Sequence, residues 1–334
     1  MWPNFFLVGA PKAGTTAIAS ALARHPDVFP CAVKEPNYFN SDIWLENFFG
    51  PLKFDGDRPT QKNSFATIRD EATYLRLYAE AEGYSAVGDC SIHYLRSKVA
   101  AAEIHKKIPH AKIIISLRNP VDRAFSHFLM DCKVGKAEPP FGDVIASHIA
   151  DVNTRGLHYD NYIDCGLYYN QVKTYQELFG AENVLVILFE DLKKDFTGSI
   201  WRVWNHIGVV PHHVESVVEN RAVVAKASHF NRWLYRAGLR RLIVRYFPRW
   251  LKDLCIRFYY RAPETRIDPE DRALLTDVFR EDVERLAVLL DRDLSHWIPS
   301  AGRPKRHLNA AAEPPVQEPV LAESHAVLGG SAER

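Results

Sequence analysis

The chain opens on Phe5-Phe6-Leu7-Val8-Gly9, an apolar run closed by glycine, and a segment with no polar face belongs in the interior of a sheet. Thr15 to Ala23 follows as a helix of small residues, stopped by His25-Pro26. Ser85-Ala86-Val87-Gly88-Asp89 reads as a second, weaker strand, Ser97 to Ile108 as helix and Lys112-Ile113-Ile114-Ile115-Ser116-Leu117 as a buried strand. Pro120 suits a first helical turn, with helix to about Val134. Helix is expected again over Tyr168–Phe179 and a fully apolar strand over Val184–Phe189. Short apolar strands alternating with helices predict an α/β fold: a mostly parallel central sheet flanked by helices on both faces. Ligands of such sheets bind beyond the carboxyl ends of the strands.

Composition changes this picture little. With 334 residues, 47% hydrophobic and 25% charged, the chain lies at the globular average, which excludes collagen-like, low-complexity and wholly disordered classes. No apolar run reaches the roughly 18–20 residues of a membrane span, and no signal peptide is visible. Five scattered cysteines without C-x-x-C spacing argue against a disulfide framework or a structural zinc site and for a reducing compartment.

Charge changes it more. The net charge is +1, yet the stretch from Lys226 to Arg261 holds ten basic residues against one acid, Asp253, and stands at +9. Trp233, Tyr235, Tyr246, Phe247 and Trp250 are interleaved with those cations. This basic, aromatic insertion (226–262) is expected to be helical. It suits either a peripheral contact with an anionic membrane or acidic partner, or a solvated basic helix pair. Residues 300–334, rich in Ala, Pro, Glu and Gly, read as a disordered tail after a domain spanning 1–299.

The chemistry begins where the first strand ends. Gly9-Ala10-Pro11-Lys12-Ala13-Gly14-Thr15-Thr16 runs from strand into helix. Glycines permit a tight turn, N–H groups at the helix start point inward, and the helix dipole favours an anion. Lys12 adds a full charge, and Thr15 and Thr16 add hydroxyl donors. The order differs from G-x-x-x-x-G-K-[ST], because the lysine precedes the second glycine. A second basic centre follows the third strand: Arg118-Asn119-Pro120-Val121-Asp122-Arg123-Ala124-Phe125-Ser126 brings an arginine fork and a hydroxyl to one place, as a terminal phosphate requires.

The segment Phe6–Thr16 resembles the 5′-phosphosulfate loop of sulfotransferases that use 3′-phosphoadenylyl sulfate (PAPS), and Arg118–Phe128 resembles that family's 3′-phosphate motif. The likeness extends over residues 4–298 and implies a P-loop-like fold with no metal. It implies that Lys12, Ala13, Gly14, Thr15 and Thr16 hold the 5′ side and Arg118 and Ser126 the 3′-phosphate, with Arg123 structural or on the substrate side. Lys34-Glu35-Pro36-Asn37-Tyr38-Phe39 resembles the K-E-x-H-[FY]-F segment of the glycan-directed, heparan-sulfate-type branch and its bacterial relatives, where the glutamate is taken as the base. Asn37 stands in place of the histidine. Glu35 as a plain surface carboxylate is the alternative. Gly88-Asp89-Cys90-Ser91-Ile92-His93-Tyr94 sits where relatives have G-E-x-[ST]-P-x-Y, which makes Asp89 and His93, with Lys34 and Asn37, substrate-side candidates. The late basic-glycine loop of many relatives is not cleanly present; Arg221, Lys226 or the basic stretch would replace it.

The expectation is therefore a PAPS-dependent sulfotransferase that gives 3′,5′-diphosphoadenosine (PAP) as product. Its acceptor would be a glycan, a glycolipid or a small hydroxylated molecule, and no nucleic-acid partner is expected. With Met1 only a few residues before the first strand, a bacterial cytoplasmic enzyme is expected, peripheral to the membrane if the basic stretch engages it. The alternatives are a P-loop kinase using ATP and magnesium, or a non-catalytic nucleotide- or membrane-binding protein.

Overall fold

The computed structural model describes residues 1–43, 52, 54–56, 58–60, 66–138, 140–151, 162–213, 224–225, 260–261 and 266–299. The chain divides after Ala301, and every described residue belongs to the first unit. The strand β1 (Phe5–Gly9) is buried at all five positions, as its unbroken apolar run demands. It is followed by β2 (Val28–Pro30), β3 (Phe54–Asp55), β4 (Arg58–Pro59), β5 (Ala86–Asp89), β6 (Lys112–Leu117), β7 (Val184–Leu188), β8 (Val224–Ala225) and β9 (Tyr260–Arg261). The helices are α1 (Thr15–Leu22), α2 (Glu71–Arg76), α3 (Ala100–Lys107), α4 (Pro120–Val134), α5 (Phe141–Asp151), α6 (Tyr168–Phe179), α7 (Phe189–Lys194), α8 (Phe196–His206) and α9 (Pro269–Leu290).

Five strands form one wholly parallel sheet in the order β2-β5-β1-β6-β7. The alternation of a strand divides its side chains between two cores. Phe6, Val8, Ile113 and Ile115 join one cluster with Phe128, Tyr168, Val172 and Phe279. Phe5, Leu7, Ile114 and Ile187 join the other with Ile18, Leu22, Ile200 and Trp204. From β1 the chain crosses toward β2 and β5, whereas from β6 it crosses toward β7. The strand order therefore reverses between β1 and β6, and the crevice beyond their carboxyl ends is where such a sheet binds ligands.

Local chemistry sets the helix starts. Asn119 Oδ1 accepts from the N–H groups of Val121 (3.0 Å) and Asp122 (3.3 Å), and Pro120 occupies the first turn, so α4 begins immediately after β6 delivers Arg118. Ser97 Oγ accepts from Val99 N and Ala100 N, so α3 starts at Ala100 and Ser97 serves as its entry turn rather than its first residue. Phe189, expected as the end of a strand, opens α7 instead. The base of the basic stretch is a two-stranded antiparallel ladder, Val224–Ala225 against Tyr260–Arg261. The stretch between those strands and the tail at 300–334 lie outside the described residues, as do Arg221 and Lys226. Among the described residues no helix is long and apolar enough to cross a membrane.

Candidate functional site

Gly14 caps α1 at φ 88°, and no side chain caps that helix start, which leaves its first N–H groups directed at the crevice. A Cβ at Gly14 would meet Leu192 Cδ2 at 2.8 Å and Phe189 Cδ2 at 3.0 Å, so both the backbone angle and the packing of α7 require glycine here. Gly9 is needed for a different reason: its Cβ would come within 2.9 Å of the Ser116 carbonyl on β6. Lys12 also has a positive φ, 71°, in a loop tied from both ends. Ala10 N donates to Ser116 O at 2.9 Å, Ser116 Oγ donates to Ala13 O at 2.5 Å, and Arg118 Nη1 donates to Lys12 O at 3.2 Å.

These bonds bring Lys12 and Arg118 to the same crevice. The Lys12 ammonium lies 3.8 Å from Met130 Sδ; burial, then the Arg118 guanidinium, lowers its proton affinity. The Arg118 guanidinium stacks over Phe189, 4.7 Å from the ring centroid, and Tyr168 Oη donates to its carbonyl at 3.0 Å. Ser126 is half-buried on α4. Arg123 does not share the crevice opening: it is fully buried and donates to Tyr162 O and to His127 Nδ1.

From the β2 side comes the second part of the site. Lys34 Nζ donates to Thr16 Oγ1 at 2.9 Å, which joins the segment after β2 to the first turn of α1. The adjacent Glu35 is 1% exposed, which removes the surface-carboxylate reading, and its Oε2 has no hydrogen-bond partner. Burial raises its carboxyl to about 8, opposed by the Lys34 charge. His93 Nε2 lies 3.9 Å from that oxygen. Burial, then Arg96, pushes the imidazole well below its usual range, so the two groups face each other as neutral acid and neutral imidazole at neutral pH.

Asn37 and Asp89 are committed to holding this segment. At φ 50°, Asn37 donates through Nδ2 to the carbonyls of Glu35 (2.8 Å) and Ala66 (3.1 Å). The Asp89 carboxylate accepts from Tyr74 Oη, Tyr94 Oη, Ser91 N and Ser91 Oγ at 2.7–3.0 Å. Ser91 Oγ in turn accepts from Asn37 N, and Tyr94 Oη from Tyr38 N, so the carboxylate anchors the backbone around Glu35 at one remove. Burial raises Asp89 to about 6, with those hydrogen bonds working against it. Asp89→Ala leaves two buried tyrosine hydroxyls, the Ser91 hydroxyl and the Ser91 N–H without their acceptor, and is expected to cost about 2–5 kcal/mol. Urea denaturation measures it; wild-type stability would contradict this anchoring role.

A family model described as the sulfotransferase domain matches residues 3–226, two-thirds of the chain and both halves of this site. The chain belongs to the sulfotransferase domain family. A crystal structure of a sulfotransferase from Alicyclobacillus acidocaldarius is similar at 29% identity, covering 89% of this chain and 99% of that one with a TM-score of 0.64. Mouse (Mus musculus) carbohydrate sulfotransferase 15 is 22% identical over 253 residues, which are 63% of this chain and 44% of that protein. Mouse heparan sulfate glucosamine 3-O-sulfotransferase 6 is 25% identical over 235 residues, 69% of this chain and 56% of that protein. The chain thus spans about half the length of the curated relatives it matches. The sheet with its flanking helices is the P-loop-like α/β fold of sulfotransferases.

Most of the residues that brace this candidate site stand outside the motifs. Phe189 and Leu192 pack on Gly14, Ser116 ties β6 to the loop, and Tyr74 and Tyr94 donate to Asp89. Ser116 had a local signal, a hydroxyl inside an otherwise apolar strand, and Tyr94 closes the motif that begins at Gly88. The others come from positions distant in sequence and become visible only once the chain is folded. Among the described residues, no group of three or more His, Cys, Asp or Glu is gathered as metal ligands.

Proposed function

We propose that the chain transfers a sulfonate group from PAPS to a hydroxyl or amine of a carbohydrate or glycolipid acceptor, releasing PAP. The observation that carries the reading is the convergence of Lys12, Lys34-bound Thr16 and Arg118 on one helix start that no side chain caps, beside the buried Glu35 carboxyl, whose Oε2 accepts no hydrogen bond. Such a donor set fits a nucleotide with two separate anionic ends: loop N–H groups and Lys12 at one, the Arg118 fork and Ser126 at the other. When bound, PAPS would supply the sulfonate from its 5′-phosphosulfate, with PAP as the leaving group.

The residues of the chain then have distinct tasks. Lys12 places positive charge where the loop meets the crevice and offsets charge that builds up on the leaving side. Thr15 and Thr16 add hydroxyl donors. Glu35, in its ionised form, takes the acceptor proton as the acceptor attacks in line; a carboxyl near 8 is a strong enough base for this at mildly alkaline pH. The Lys34-Glu35-Pro36 segment and the carbohydrate-directed relatives support a sugar acceptor. The kinase reading is less favoured because Lys12 precedes the second glycine of the loop rather than following it.

Incubation with PAPS and a chelator, beside a panel of heparan-, chondroitin- and lipid-linked sugars, tests the proposal by mass spectrometry of the products. A product heavier by one sulfonate supports it; phosphorylated product from ATP and magnesium instead would overturn it. Arg118→Ala is expected to weaken PAP binding by about tenfold or more, the scale of one charge-assisted bidentate contact. Calorimetric affinities of the two proteins check this, and equal values would remove Arg118 from the donor site.

A further inference from the structure

Glu35 and the loop are built by different parts of the chain, yet one side chain links them. Lys34 precedes Glu35 in sequence, and its ammonium sits on Thr16 Oγ1, 2.9 Å away, in the first turn of α1. The segment it belongs to is rigid: Glu35 O accepts from Ala66 N at 3.0 Å and from Asn37 Nδ2 at 2.8 Å. Asn37 N is in turn held on Ser91 Oγ. A pull on Lys34 from the loop is therefore opposed by fixed backbone, not absorbed by slack chain.

We propose that Lys34 is a positioning residue that couples the anion-binding loop to the base, so that filling the loop alters the proton affinity of Glu35. The proposal rests on the reading that the loop takes a phosphosulfate nucleotide. The Lys34 charge favours ionised Glu35 and disfavours charged Lys12, so it acts on both halves. An anion at the helix start draws on that charge through Thr16 and leaves less of it for Glu35. Glu35 then binds its proton more tightly and is a stronger base once ionised. The other groups facing Glu35 are Asp89 from β5, which holds its proton affinity up, and the neutral imidazole of His93 from the turn after β5. Lys12 faces Arg118 from the turn after β6, Lys133 and Asp131 from α4, and Lys34 itself.

Calorimetric titration with PAP near pH 8, in two buffers of different ionisation enthalpy, reads the protons taken up on binding. The wild-type protein is expected to take up more protons than Glu35→Gln. Lys34→Met is expected to bind PAP about tenfold more weakly, the loss of one charged donor, and to take up no more protons than Glu35→Gln. Lys34→Arg should retain both properties. Titrations of PAP itself and of Lys12 are separated by the cycle: in the Glu35→Gln background, Lys34→Met should leave little further change in uptake. Thermal unfolding of each variant confirms that it is folded. Wild-type affinity and uptake in Lys34→Met, or an equal change in uptake with and without Glu35, would overturn the coupling. A wild-type protein that does not bind PAP would overturn the donor reading itself and the coupling with it.

Discussion

Lys12→Ala lowers kcat for sulfonate transfer by at least roughly tenfold and toward 10²–10³-fold, the range for loss of one preorganised donor at a site of developing charge. The loop should survive the change. Arg118 and Ser116 hold it through backbone carbonyls, those of Lys12 and Ala13, which alanine keeps. Alanine must still adopt the φ of 71° found at this position, at a cost common to most non-glycine residues and equal for the lysine it replaces. What disappears is a half-buried charge whose proton affinity is already lowered by burial and by Arg118, which marks a place where a further anion is favourable. Turnover with PAPS and the sugar identified in the product screen measures it. A variant with wild-type kcat would remove Lys12 from the reaction.

Glu35→Gln is the second large effect. Loss of a positioned general base lowers kcat/KM by about 10²–10⁴-fold. The wild-type rate should rise with pH through a limb near 8, where the buried carboxyl ionises, and the glutamine variant should lack that limb. Stability gives an independent check. Burial lifts the folded carboxyl from 4.5 to about 8, so across that window the native state holds a proton that the unfolded chain has lost. Its contribution is therefore present below the lower value and is lost as pH rises toward the upper one. The melting temperature of Glu35→Gln should gain on the wild type as pH is raised from about 5 to 8. Parallel melting curves over this range would mean that Glu35 is not held protonated in the fold.

The sheet was readable because its strands announce themselves. Phe5–Gly9 and Lys112–Leu117 are apolar on both faces, and their expected limits are those observed. Pro120, with Asn119 before it, likewise marks the start of α4 at the residue where it begins. The strand β2 was not legible, because three residues carry too little periodicity; α2 and α8 do begin at capping aspartates, Asp70 and Asp195, but one Asp before a short or mixed segment is a weak signal. In the site, the loop and Arg118 stand out because strand, glycine, cation and helix occur in fixed order along the chain. The tasks of Asn37 and Asp89 were not legible. Their places in the resembled motifs made them substrate-side candidates, whereas in the fold their polar atoms bond to Glu35 O, Ala66 O, Ser91, Tyr74 and Tyr94. Arg123, expected to be structural or on the substrate side, is spent on Tyr162 and His127 in the core.

The central claim is that the loop after β1 and Arg118 together form a site for a 3′,5′-bisphosphorylated adenosine. Isothermal titration of the full chain with PAP in the presence of a chelator, beside ATP with magnesium, tests it most directly. The account predicts micromolar binding of PAP without metal and much weaker binding of ATP. Tight binding of ATP–magnesium with none of PAP would contradict it.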